Sequence, residues 1–206
     1  MKFNLDKILI ASGFIGVLIF FFTVYFLFPL LYPGYDIFNQ TISELGAIGS
    51  PTKVITNVFG FSLLGIFTML FSLGLFRSKE VNVFGKTGAF FIFVTGILMY
   101  LTGIFTLSGS GGLYSVLDTM HAVVADYQFP ILALGFVIFA FSVINHEKLK
   151  WLTPVILILG LATLALAYVF YFVRDLQNMG IWQRAAIGLP YVIVMIISIA
   201  LYRIQK

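Results

Sequence analysis

Asn39-Gln40-Thr41-Ile42-Ser43-Glu44-Leu45-Gly46-Ala47-Ile48-Gly49-Ser50-Pro51 stands between two long apolar runs. Before it, Ile8–Leu31 is nearly uninterrupted hydrocarbon and aromatic side chain. After it, Val54–Phe76 is the same. The stretch itself carries a carboxylate, three hydroxyls and two side-chain amides, and it sets the reading of the fold. Two runs each near the ~20 residues that cross a bilayer, broken by a polar segment, describe two membrane helices and their connection.

The rest of the 206 residues repeats that pattern. The chain is 61% hydrophobic and 10% charged, where a soluble domain carries about 25% charged residues. One globule of this size cannot hide so much apolar surface, so lipid is its solvent. Six spans are expected, at Ile8–Leu31, Val54–Phe76, Phe84–Leu107, Ala122–Ile144, Trp151–Val173 and Ile181–Tyr202. Backbone in hydrocarbon must satisfy its own hydrogen bonds, and these runs do not alternate as barrel strands would, so they are read as helices. The first is too long for a signal-peptide core and is kept as a span. The expected fold is all-α: a single polytopic domain over residues 1–206, a six-helix transmembrane bundle with a short interfacial helix after the first span.

Lys and Arg orient it. With both termini on one side, that side holds Lys2, Lys7, Arg77, Lys79, Lys86, Lys148, Lys150, Arg203 and Lys206, against Lys53, Arg174 and Arg184 on the other. The bias predicts cytoplasmic termini. The acids Asp36, Glu44, Asp118, Asp126 and Asp175 then fall on the outer side. The absence of cysteine removes disulfides and thiolate chemistry and leaves the redox compartment open.

Thr41-Ile42-Ser43-Glu44 fits a capping box, with Thr41 as N-cap and Glu44 reaching back to it. Gly46 and Gly49 read as stops. Ser50-Pro51 reads as the N-cap and first residue of the second span. Glu44 has two readings: closure of the capping box, or a carboxylate pointing between the helices and needing a partner. Asn39-Gln40-Thr41 is also a glycosylation sequon.

Further polar residues gather at the same predicted depth. Asp118 and His121 lie about 60° apart on the fourth helix, a face that Ala125 and Gln128 continue. Asp126 lies on its flank, about 12 Å beyond Asp118. The plain reading is an acid complementing the helix dipole and a hydrogen-bonded interfacial histidine. The sharper reading has Asp118 orient His121 as a base. Arg184 is the expected partner of Glu44 or Asp126, and Arg174-Asp175 reads as an interfacial pair. Glu44, Asp118, His121 and Asp126 are thus the candidate catalytic residues, and Ser43, Arg174 and Arg184 the candidate ligand-binding ones. One histidine among carboxylates is a thin metal signal, and no metal or cofactor is assigned. Pro130 and Pro190 fall inside spans, where they can open a cavity or merely shape the bundle.

The segment Thr41-Ile42-Ser43-Glu44-Leu45-Gly46-Ala47-Ile48-Gly49-Ser50-Pro51 resembles the hallmark of an uncharacterised integral membrane family, domain of unknown function 998. Asp118-Thr119-Met120-His121-Ala122 resembles that family's acid-then-histidine start to a later helix. The resemblance implies the six-helix layout and a polar site at the outer face. It implies no activity.

No P-loop, dinucleotide fingerprint, nucleophile elbow or His-Glu-x-x-His occurs, and no basic aromatic surface for nucleic acid. Three roles remain. The first is an outward-facing polar pocket that binds or processes a lipid headgroup or small amphiphile, with membrane lipids as partners. The second is a non-catalytic subunit beside other membrane subunits. The third is an ion- or proton-coupled carrier.

Overall fold

The computed structural model describes residues 4–108, 116–172 and 177–205. Among them are helices α1 (Leu5–Leu30), α2 (Ile42–Leu45), α3 (Lys53–Arg77), α4 (Val83–Ile104), α5 (Val116–Val143), α6 (Leu152–Phe172) and α7 (Met179–Ile204). Six of these are long and apolar enough to cross a membrane. No strand occurs among the described residues. The chain is an all-α, multi-pass membrane bundle.

Helix ends follow local chemistry. Asn4 starts α1 by accepting from the Lys7 amide at 3.1 Å, and Asn82 starts α4 by accepting from Phe84 and Gly85. The second span begins later than Ser50-Pro51 suggests. Ser50 Oγ donates to the Leu45 carbonyl at 2.7 Å and accepts from the Thr52 amide. It closes a local turn, and helical geometry starts at Lys53. The third span stops at Ile104 rather than Leu107. Residues 106–108 run as irregular backbone that pairs with the polar stretch.

Sequential spans are neighbours, and α7 closes the circle against α1. Between α4 and α5 the backbones touch: a Cβ on Gly88 would stand 2.7 Å from the Gly135 carbonyl, a small-residue contact suited to membrane helices. Ile10, Phe71, Phe136, Tyr191 and Ile197 fill the interior. Phe22, Phe26, Leu30, Ile158 and Phe172 point outward and stay exposed, as a lipid-facing surface requires. Two spans widen into π turns, at Phe21–Leu27 in α1 and Thr56–Ser62 in α3.

An even number of crossings leaves both termini on one face. There Arg77 pairs with Asp6, and His146 Nε2 lies 3.1 Å from Glu80. The opposite face carries the 31–52 connection. Its helix α2 lies over the end of the bundle like a lid, with Ile42 and Leu45 fully buried beneath it.

Candidate ligand-binding and catalytic site

The lid is fastened on two sides. From α7, Arg184 Nη1 donates to the carbonyls of Ile37 (2.9 Å), Gln40 (3.0 Å) and Gly180 (3.0 Å), and Nη2 donates to Tyr35 Oη (2.7 Å). Tyr35 Oη in turn donates toward the Thr41 carbonyl at 2.7 Å. A side chain at Gly180 would strike the Gln40 and Ile37 carbonyls at 2.4 and 2.5 Å, so only glycine lets the loop sit this close. From α3, Asn57 Nδ2 donates to the Gly46 carbonyl at 2.8 Å, and the Ile48 amide reaches the Leu107 carbonyl at 2.8 Å.

This arrangement revises the role expected of Arg184. Its guanidinium, 8% exposed, is surrounded by backbone carbonyls and a phenol and does not pair with Glu44. Glu44 Oε1 instead accepts from Thr41 N and Thr41 Oγ1, each at 3.0 Å, and Oε2 accepts from Gln40 Nε2 at 3.2 Å. The capping box forms as the sequence indicates. Burial raises the Tyr35 phenol above its ordinary pKa, against the opposing pull of Arg184. On the exposed loop, the Asn39 side chain and the Phe38 amide hold Asp36 below the usual carboxylate range.

The polar side chain of α2 that reaches α5 and α7 is that of Ser43. Its Oγ lies 3.1 Å from His121 Nε2 on α5 and 3.3 Å from Gln183 Nε2 on α7. His121 Nδ1 lies 2.6 Å from the Phe105 carbonyl, and Gln183 Oε1 accepts from the Ile42 amide at 2.5 Å. Two fixed ends give every bond in this chain a direction. A carbonyl only accepts, so in the neutral ring Nδ1 carries the hydrogen and Nε2 is bare. A backbone amide only donates, so Gln183 turns its oxygen to Ile42 and its NH₂ to Ser43. The Ser43 hydroxyl therefore accepts from Gln183 and donates to His121.

Asp118 plays a different part from the orienting one expected. Its Oδ1 and Oδ2 accept from the amide and hydroxyl of Ser108, tying the segment after α4 to the start of α5. The atom bonded to His121 Nδ1 is the Phe105 carbonyl. Arg174 and Asp175 lie outside the described residues.

Beneath Ser43 is a cavity of about 190 Å³. Ser43, His121, Asp126, Gln128, Tyr171 and Gln183 supply its polar wall. Phe61, Met99, Phe129, Phe170 and Ile187 supply the apolar one. Tyr171 Oη bonds the Ala125 carbonyl at 3.2 Å and faces the Asp126 carboxylate. Gln128, 2% exposed, donates Nε2 to the Ala125 carbonyl at 3.1 Å, while its Oε1 is buried with no partner among the described residues. The two interior prolines coincide with this space. Pro130 has no N–H for the carbonyl of Asp126, four residues before it, and Pro190 has none for Ala186; both Asp126 and Ala186 line the cavity.

Depth follows from length. The 28 residues of α5 rise about 42 Å, against a hydrocarbon core of about 30 Å. With Val143 at one boundary, the opposite boundary falls near Val123–Val124. On that placement His121 falls at headgroup level and Asp126 just inside the hydrocarbon edge. Asp126 and Ala122 are exposed at the cavity rim. Among the described residues, no group of three His, Asp and Glu side chains could hold a metal ion.

The family model described as "Protein of unknown function (DUF998)" matches residues 14–200. The chain belongs to the DUF998 family. No curated protein and no solved structure matches it. The DUF998 match runs from within α1 to within α7 and includes the lid and every residue of the cavity wall.

Gln183, Tyr35, Asn57 and Tyr171 are not among the residues that carboxylates, histidine and cations single out. An unpaired amide or phenol in hydrocarbon also costs several kcal/mol, about 2–7, so each polar residue in an apolar span carries the same signal as a charge. Gln183, beside Trp182 and Arg184 at the start of the last span, was findable on that ground.

Proposed function

We propose that the cavity under the lid receives the polar end of a single-chain amphiphile, with a neutral, hydroxylated head. The observation that carries this is Gln128 Oε1. It is a buried acceptor with no partner among the described residues, on a side chain that belongs to the cavity wall. An orphaned acceptor costs roughly 1–3 kcal/mol, and a ligand hydroxyl relieves that cost. The lining supplies one acid, Asp126, and no Lys or Arg among the described residues. The nearby cation, Arg184, is already held by carbonyls of the lid. A phosphate head finds no counter-charge here, and a glycerol-like head finds Gln128, Gln183, Ser43 and Asp126.

Size and depth agree with this occupant. About 190 Å³ exceeds the ~150 Å³ of an engineered cavity that takes benzene, so the head and a few methylenes fit, but not a whole lipid. The remaining chain leaves between the exposed Ala122 and Asp126 toward the bilayer. The apolar wall of Phe61, Met99, Phe129 and Phe170 suits the first methylenes.

The test is photocross-linking of the protein in nanodiscs with a diazirine-bearing monoacylglycerol, mapped by mass spectrometry. Adducts are expected on the cavity segments around Phe61, Met99 and Phe129, and loss of them in Ala125→Phe, which fills the space. Adducts spread evenly over the lipid-facing surface and unchanged in Ala125→Phe would overturn the reading.

A further inference from the structure

We infer that Ser43 is a nucleophile and that the site cleaves the ester of a single-chain acylglycerol, with His121 as its base. The inference rests on the amphiphile-binding reading and adds chemistry to it. Three observations carry it: the bond between Ser43 Oγ and His121 Nε2, the bond that fixes the other ring nitrogen, and the cavity that brings a head to both.

A serine becomes nucleophilic when a base takes its proton as it attacks. The arrangement needs the hydroxyl to donate to an unprotonated ring nitrogen, and the ring to be held by an acceptor on its far side. Here Ser43 Oγ is 3.1 Å from the bare Nε2. The Phe105 carbonyl, 2.6 Å from Nδ1, selects that tautomer and replaces the carboxylate that often does so. The converse tautomer would set the Nδ1 lone pair against a carbonyl oxygen. The direction of the hydrogen-bond chain is therefore the one that chemistry at Ser43 requires.

The acyl transfer balances with groups in place and one water. Ser43 Oγ attacks the ester carbonyl carbon, and its proton passes to His121 Nε2. The carbonyl oxygen becomes the oxyanion of a tetrahedral intermediate. Gln183 Nε2 bonds Ser43 Oγ at 3.3 Å in the resting site, and its second N–H is the donor offered to that charge. Its geometry is fixed by the Ile42 amide, which is the preorganisation that makes such a donor effective. The carbon–oxygen bond to the glycerol breaks, and the leaving alkoxide takes the proton from His121. Water then attacks the acyl-Ser43 ester, gives its proton to Nε2, and the fatty acid leaves as Ser43 Oγ recovers that proton.

Position favours such a reaction. Ser43 is on the lid side, at headgroup level, where water is present, while the first methylenes of the acyl chain lie among Phe61, Phe129 and Phe170 and the rest leaves past Ala122 and Asp126. A monoacylglycerol placed this way presents its ester to Ser43 and its free hydroxyls to Gln128 and Asp126.

The experiment uses the full chain in nanodiscs with a fluorophosphonate probe and, separately, with monoacylglycerol, following free fatty acid. The expected result is a covalent adduct mapped to Ser43, lost in Ser43→Ala, with fatty-acid release falling at least ~100-fold in both Ser43→Ala and His121→Gln. The melting temperature of each variant in detergent reports folding, and the monoacylglycerol cross-link in the parent chain reports binding. Cross-linking in the cavity with no Ser43 adduct and no fatty-acid release overturns the catalytic inference alone. Release that survives in Ser43→Ala also overturns it. Absence of both cross-linking and release overturns the binding reading with it.

Discussion

Ser43 and His121, 78 residues apart in the chain, are joined by a 3.1 Å hydrogen bond between a lid and a membrane helix. That bond exists because Gln183 holds the lid in place from a third element, through the Ile42 amide and the Ser43 hydroxyl. The lid thus closes the bundle and also positions the one side chain of α2 that reaches the cavity.

Gln183→Leu removes both bonds and leaves the Ile42 amide buried without its acceptor. The cost expected is about 1–3 kcal/mol. Thermal melting in detergent should show a lower Tm, and hydrogen exchange should accelerate at residues 41–45. Unchanged exchange there would mean that Gln183 does not hold the lid.

Arg184→Lys and Arg184→Met separate charge from geometry. The guanidinium reaches three carbonyls and Tyr35 Oη at once. An ammonium in the place of Nη1 can serve the carbonyls, but it has no second nitrogen to reach Tyr35 Oη as Nη2 does. Both variants should therefore raise the rate of proteolysis within residues 36–41, with Lys recovering only part of the protection. Full protection in Arg184→Lys would show that charge alone suffices.

Thr41→Ala and Glu44→Ala each break the same capping box, at an expected cost of about 0.5–2 kcal/mol. Because Glu44 Oε1 bonds both the amide and the hydroxyl of Thr41, the double variant should lose less than the sum of the two. Additive losses in Tm would show that Glu44 acts through its bond to Gln40 and not through Thr41.

The loop's pH window has two edges. Asp36 has a depressed folded pKa, so its contribution is present above the ordinary carboxylate pKa and fades as pH falls through the folded value. Tyr35 has a raised folded pKa, so its contribution is complete below 10 and fades as pH rises past it. The protection of the Phe38 amide relative to its intrinsic exchange rate should fall on acidification, and not in Asp36→Asn. Protection at residues 40–41, on the same scale, should fall above pH 10, and not in Tyr35→Phe. Identical profiles in those variants would contradict the assignment.

Much of the architecture was legible because hydrocarbon imposes simple rules. Run length located five spans to within three residues at each end, while the fourth, expected from Ala122, is already helical at Val116, and Thr41 with Glu44 marked α2 directly. The errors came where polar side chains serve the backbone. Ser50 reads as a helix cap, yet it bonds Leu45 and Thr52 in a turn. Arg184 reads as the partner of a carboxylate, yet it binds carbonyls that no sequence pattern places beside it. Spacing brought Asp118, His121 and Gln128 to one face, since those share a helix. It could not bring Ser43, Gln183 and Phe105 to His121, because those contacts depend on how four separate segments pack.

Thermal melting of Gln128→Met, with and without monoacylglycerol, tests the central claim most directly. Methionine keeps the length of the side chain and removes the orphaned acceptor, and the Ala125 carbonyl retains Tyr171 as a donor. The variant should melt higher than the parent without amphiphile and gain less when amphiphile is added. A variant that melts lower alone and gains as much as the parent would show that Gln128 Oε1 serves the fold and not a ligand.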